Sequence, residues 1–213
     1  MNKLRPIQLL PAREQIASAL RKAILSRELK EGETITLDEI ALQLGVSITP
    51  VREAFQMLAH DGLIKLHYNK GAVVLGVSPK TIHDHYETRA ILEREAAAAV
   101  CRNHADLSEI VRAYEQAKLA LEQNQSQEYS DYNQAFHFAI WTAAGNEKIK
   151  SLLSEMWNGL SMGHKVTTEA YAKISIAEHE QILEALKKRD ENLARQRMNH
   201  HIMRSMRNIL TRF

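Results

Sequence analysis

Cysteine, proline and glycine are all scarce in this chain of 213 residues, which holds one Cys, four Pro and eight Gly. A single thiol, Cys101, excludes an internal disulfide and a multi-thiolate metal site, and it fits a reducing cytoplasm. So few chain breakers favour helix. Long apolar runs are missing too. The longest, Ala96–Cys101, has six residues, against the ~20 that cross a bilayer, so no membrane partner is expected. Near the N-terminus Ile7, Leu9 and Leu10 are interrupted by Gln8 and stopped by Pro11, which is not the core of a signal peptide.

Strong net charge is also absent. The chain is 45% hydrophobic and 25% charged, with a formal charge of +2, the make-up of an ordinary folded protein rather than a disordered one. The distribution of that charge is uneven. Residues 1–78 hold 10 basic and 8 acidic side chains, while 79–213 hold 18 of each. The histidines run the other way, with His60 and His67 in the first segment and eight in the second. A small positive excess suggests nucleic acid only if a fold aims it.

The pattern in residues 1–77 supplies such a fold. Ile16, Leu20 and Ile24 recur at helical spacing after Pro11, and Glu31-Gly32-Glu33 is read as the stop. Thr36 and Glu39 form a capping box ahead of Leu37, Ile40, Ala41 and Leu44, and Gly45 ends that short helix. Ser47 caps a third helix with the apolar stripe Val51, Ala54, Phe55 and Leu58, stopped by Gly62. Ile64 and Leu66 alternate with Lys65 and His67, Asn69-Lys70-Gly71 supplies a turn, and Val73-Val74-Leu75 returns. Helix, helix, turn, helix, β-hairpin is a winged helix-turn-helix.

In such a unit the helix after the turn enters the major groove by its N-terminus. Ser47 and Thr49 offer hydroxyls to phosphates beside the helix N-terminus. Arg52 reaches a guanine edge or a phosphate, and Ile48 can touch a thymine methyl. Lys65, Asn69, Lys70 and Gly71 form the wing, a narrow basic hairpin that approaches the minor groove. The bland alternative leaves Arg52 paired with Glu53 and the lysines as surface charge.

These residues resemble the reading head of the GntR superfamily of bacterial transcription regulators. The likeness is carried by Gly45-Val46-Ser47, Pro50-Val51-Arg52-Glu53-Ala54, Leu58, Gly62-Leu63 and Gly71. It implies a homodimer that binds double-stranded DNA at a palindromic operator, usually as a repressor. Many members carry Arg where this chain has Ile48, and Asp38 stands near an earlier basic contact. An operator different from the commonest one is therefore expected.

Ser78-Pro79 opens a second segment, 78–213, with no convincing strand and helices expected at about 80–102, 106–124, 126–144, 147–165, 169–188 and 190–211. The fold class is mainly α, a winged helix-turn-helix followed by an antiparallel bundle of about six helices. Asn133 and His137 lie four apart on one helix face. His179 and His201 lie on two helices joined by Lys188-Arg189-Asp190, so a helix hairpin returns them to one level. One amide oxygen and three imidazoles then converge in a bundle, a common way of building a metal site, although eight histidines also produce such neighbours by chance.

This segment resembles the FCD effector domain of the FadR-like branch, through Asn133, Phe136-His137, Glu178-His179 and Met198-Asn199-His200-His201. The resemblance implies Asn133, His137, His179 and His201 as metal ligands, with His200 out of register, and a small organic acid as effector. Arg89 matches a recurrent position and is assigned to the effector, against the alternative of an i, i+4 pair with Glu93. Imidazole-rich ligation suits zinc or nickel. With neutral Asn133 the ion keeps its full charge, which favours a carboxylate.

Three function classes follow from these residues. The first is a DNA-binding regulator with a metal-dependent acid sensor. The second is a regulator whose bundle only dimerises and whose histidines pack. The third is a metallohydrolase, against which His179-Glu180-Gln181-Ile182-Leu183 lacks the second His of H-E-x-x-H. No enzyme activity is expected. Trp141, Met156, Trp157, Leu160 and Met162 are read as core or dimer interface, Cys101 as a small apolar side chain, and His83, His85, His104 and His164 as exposed.

Overall fold

The computed structural model describes residues 11–25, 27–67, 71–158 and 169–211. The chain divides into two compact units, Met1–Val77 and Ser78–Phe213.

In the first unit α1 (Ala12–Leu25) lies against α3 (Ile48–His60), with Ile16, Leu20 and Ile24 buried as their spacing requires. It stops at Leu25, sooner than Glu31-Gly32-Glu33 suggested, because the chain turns through Arg27 at φ +61° and Leu29 donates back to the Ala23 carbonyl. Thr36 and Glu39 cap α2 (Leu37–Leu44) reciprocally, and Gly45 closes it at φ +62°. Helix α3 buries Val51, Ala54, Phe55 and Leu58. Pro50 sits in its first turn, where no intrahelical donor is lost. A strand that the alternation did not suggest, β1 (Thr34–Ile35), joins β2 (Ile64–His67) and β3 (Gly71–Val74) in an antiparallel sheet of order β1-β3-β2. Ile35 lies opposite Ala72 and His67 opposite Gly71. Two residues are too short for period 2 to show.

The second unit is all helix among the described residues: α4 (Pro79–Arg102), α5 (Ser108–Glu122), α6 (Ser126–Ala143), α7 (Glu147–Asn158), α8 (Glu169–Lys187) and α9 (Glu191–Leu210). Ser78 caps α4 through the Thr81 amide, with Pro79 in the first turn. Ala96 to Cys101 are all buried, so this stretch of α4 is surrounded on every side, and its small residues let α9 lie close along it. The breaks between helices fall where residues take a positive φ, at His104, Asn124, Gly145 and Arg189. At the last of these Arg189 also donates to the carbonyls of Val100 (3.2 Å) and Ala105 (2.8 Å), pinning the α8–α9 turn to the end of α4. Among the described residues no helix is long and apolar enough to cross a membrane.

Candidate DNA-reading face and candidate metal centre

The face of α3 opposite its buried stripe is open. Ser47, Ile48, Thr49 and Arg52 are exposed, Ile48 at 39%. Ser47 has the extended backbone of an N-cap, yet its side chain makes no cap hydrogen bond, so the first-turn amides keep their capacity for an anion. Glu53 is held by Arg13 at 3.5 Å. Arg21, buried on α1, grips Asp61 at the end of α3 through Nε (2.8 Å) and Nη2 (2.7 Å), which fixes the angle at which the helix is presented.

On the wing Lys65 is exposed on β2. Gly71 has a structural reason of its own. At φ +90° a Cβ there would fall 2.1 Å from the Ile35 carbonyl oxygen, so only glycine lets β3 start beside β1. Asn69 and Lys70 lie outside the described residues, as do Leu160, Met162 and His164.

In the helical unit three imidazoles meet. His137 comes from α6, His179 from α8 and His201 from α9, and all three are buried. One ligand atom from each lies within 4.8 Å of the others. His201 Nε2 is 3.3 Å from His137 Nε2 and 3.2 Å from His179 Nε2. Asn133 is half-buried one helical turn before His137 on the same helix. Phe136 stacks on His179 at 4.3 Å between centroids, and Trp157 lies 5.1 Å from His137. The expected core residues Trp141, Trp157 and Cys101 are buried; Met156 and His85 are half-buried, and His83 and His104 exposed.

Two carboxylates stand behind this cluster. Glu93 is fully buried, and its Oε1 accepts from Arg89 Nε at 2.7 Å and Nη2 at 2.6 Å. Its Oε2 accepts from His137 Nδ1 at 2.7 Å and Trp141 Nε1 at 3.1 Å. Burial alone would raise the Glu93 pKa, but His137 and Arg89 outweigh it and hold the carboxyl below its ordinary range. Glu178 accepts from His201 Nδ1 at 2.7 Å and from Arg204 Nε at 2.7 and 2.8 Å. Burial pushes against its charge, and His201 and Arg204 keep it ionised below the usual carboxylate value. Burial also lowers His201 to about 4, despite the hydrogen bond to Glu178. His179 is driven well below 6.5, chiefly by burial and then by its two histidine neighbours. Both rings are therefore neutral near pH 7, the form a metal binds.

Arg89, weighed between the effector and an i, i+4 pair with Glu93, forms that pair, buried, and its guanidinium lies 4.5 Å above the Trp157 ring. Neither Glu93 nor Glu178 was marked as a site residue by the sequence. Glu178 had a usable signal, since it directly precedes His179. Glu93 had one only toward Arg89, because 44 positions separate it from His137.

Residues 12–74 match the gntR family of bacterial regulatory proteins, and residues 84–204 match the FCD domain. The chain is 30% identical over 201 residues to the probable D-xylose utilization operon transcriptional repressor of Paenarthrobacter nicotinovorans, covering 89% of this chain and 87% of that protein. It is 25% identical over 196 residues to the gluconate operon transcriptional repressor of Bacillus licheniformis, covering 84% and 77%. Escherichia coli McbR/YncC shares the fold, with a TM-score of 0.73 at 22% identity over 96% of this chain and 99% of that one. The open face of α3, the all-helical second unit and these likenesses lead to one assignment: the chain belongs to the GntR family and is a DNA-binding transcription regulator with a C-terminal FCD domain.

Proposed function

We propose that this regulator is a metal-dependent acid sensor. Asn133, His137, His179 and His201 hold a divalent cation, zinc or nickel by the chemistry of the donors, and a small organic acid bound there sets the affinity of the reading head for its operator. The observation that carries this is the convergence of three Nε2 atoms, two of them backed at Nδ1 by ionised carboxylates. Histidine ligands held by outer carboxylates are the usual form of an imidazole metal site. The bound ion would supply a positive coordination point for the effector's carboxylate.

Charge supports the acid class. Glu93 and Glu178 are already matched by Arg89 and Arg204, so a cation among neutral ligands keeps an attraction for an anion. Arg89 already holds Glu93 through Nε and Nη2, so an effector carboxylate at those donors would compete with Glu93. Ser47, Ile48, Thr49, Arg52, Lys65, Asn69, Lys70 and Gly71 make up the DNA-facing set, used twice by a homodimer on a palindromic site. Repression follows the sense of the gluconate and D-xylose operon repressors among its relatives.

Metal analysis of protein purified with zinc or nickel, paired with titration of operator DNA with and without small carboxylates, tests the proposal. One ion per chain and an acid-dependent change in DNA affinity are expected. A response to acid that survives His137→Ala and His179→Ala would overturn the metal-dependent reading, and no response to acid at all would favour a bundle that only dimerises.

A further inference from the structure

Three imidazoles meeting at Nε2 raise the question of where their protons sit. For two rings the answer is set by their neighbours. Glu93 and Glu178 as carboxylates only accept, so Nδ1 of His137 and Nδ1 of His201, each 2.7 Å from a carboxylate oxygen, must donate. In the neutral form of these rings their Nε2 atoms are then bare, and they face each other at 3.3 Å. Two lone pairs at that distance repel. The third ring has no such tether, because the buried Nδ1 of His179 has no hydrogen-bond partner among the described residues.

A neutral His179 has one proton to place. On Nε2 it donates to the bare Nε2 of His201 at 3.2 Å. On Nδ1 it meets no acceptor among the described residues and leaves three lone pairs facing one another, which a cation between them resolves. We infer that His179 is the ligand that changes tautomer: Nε2–H donating to His201 when no metal is bound, and Nδ1–H when the metal takes Nε2. This rests on the metal-centre reading of the cluster.

His137 and His201 keep one tautomer throughout, and His179 alone rearranges. Ligand histidines usually have an acceptor at the second nitrogen that fixes the ring, and among the described residues His179 Nδ1 has none. The metal-free site is accordingly closed by a hydrogen bond between two of its own ligands. Cation uptake shifts a proton across one ring.

The test is a two-bond 1H–15N correlation of the ring nitrogens in the full-length protein, labelled at histidine, metal-free and with one equivalent of zinc. Signals are assigned from His137→Gln, His179→Gln and His201→Gln, while the wild-type spectra carry the result even if a variant folds poorly. Expected without zinc are protonated Nδ1 on His137 and His201 and protonated Nε2 on His179. Zinc should move the His179 proton to Nδ1 and leave the other two patterns in place. A metal-free His179 protonated at Nδ1 overturns the inference. So does a proton on Nε2 of His137 or His201 without metal, or a zinc-bound form that retains His179 Nε2–H. Failure to take up zinc overturns the metal reading and the switch with it, and uptake measured separately by metal analysis tells that failure from the others.

Discussion

Glu93 on α4 and His137 on α6 share a buried hydrogen bond of 2.7 Å, while the other oxygen of the same carboxylate is held by Arg89. One side chain thus ties a candidate ligand to a fixed positive charge. Glu178 repeats the arrangement between His201 and Arg204. Each of these two ligand rings is oriented by a carboxylate that also holds a guanidinium.

Glu93→Gln keeps the shape of that link and removes its charge. Outer partners of metal histidines are worth about 10–100-fold in affinity, and a loss of that order in zinc affinity is expected. Competition with a chromophoric chelator measures it. Unchanged affinity in a folded variant would show that Glu93 serves Arg89 alone.

The metal-free protein should lose stability as the medium turns mildly acid. His201 is lowered to about 4 in the folded chain and returns to about 6.5 when unfolded, so between these values only the unfolded chain takes the proton. The contribution is complete above about pH 6.5 and disappears as pH falls toward 4, roughly 3 kcal/mol in all. Glu178, Arg204, His137 and His179 face this ring and shape the window. Urea midpoints taken without metal between pH 7.5 and 4.5 should fall steadily, and a flat profile would contradict the burial of neutral His201.

Arg52→Ala removes an exposed cation from the first turns of α3. A loss of about 1–3 kcal/mol in operator binding is expected if Arg52 meets a base edge, with relaxed specificity at one position of each half-site. Fluorescence anisotropy on single-base operator variants reads both. Uniform weakening across all variants would place Arg52 on a phosphate instead.

Gly71→Ala should damage the reading head without touching the helical unit. The new methyl would sit 2.1 Å from the Ile35 carbonyl oxygen at a backbone φ of +90°. Strain of this kind costs on the order of 1–3 kcal/mol before the collision is counted. DNA binding should fall while zinc uptake stays at the wild-type level. Intact DNA binding would mean that β1 can move aside.

Asp61→Ala takes from the buried Arg21 the carboxylate that anchors the end of α3. Hydrogen bonds to charged groups are worth about 1.5–3 kcal/mol, and thermal unfolding of the variant should report a loss in that range. A stability equal to wild type would show that Arg21 is satisfied elsewhere.

Local chemistry made much of this architecture readable in the sequence. Thr36 and Glu39, Gly45, Ser78-Pro79 and the stripe Val51, Ala54, Phe55 and Leu58 act within one or two turns of chain, so they declare helix ends and buried faces by themselves. His179 and His201 were readable for a related reason, since a tight turn midway between them leaves an antiparallel hairpin little choice of register. β1 escaped because two residues carry no period, and the early stop of α1 because a turn at Arg27 has no composition signal.

The reading helix and the histidine register were therefore fixed by the order of residues alone, because hydrophobic spacing and capping are properties of neighbours. The link between Glu93 and His137, the burial of Arg89 on that same carboxylate and the untethered Nδ1 of His179 were decided by the tertiary structure. The Glu93–His137 contact spans 44 positions, and the Arg89–Glu93 pair, four residues apart on α4, is buried only by the helices packed around it. Hydrogen-bond direction and desolvation exist only once α4, α6, α8 and α9 have packed.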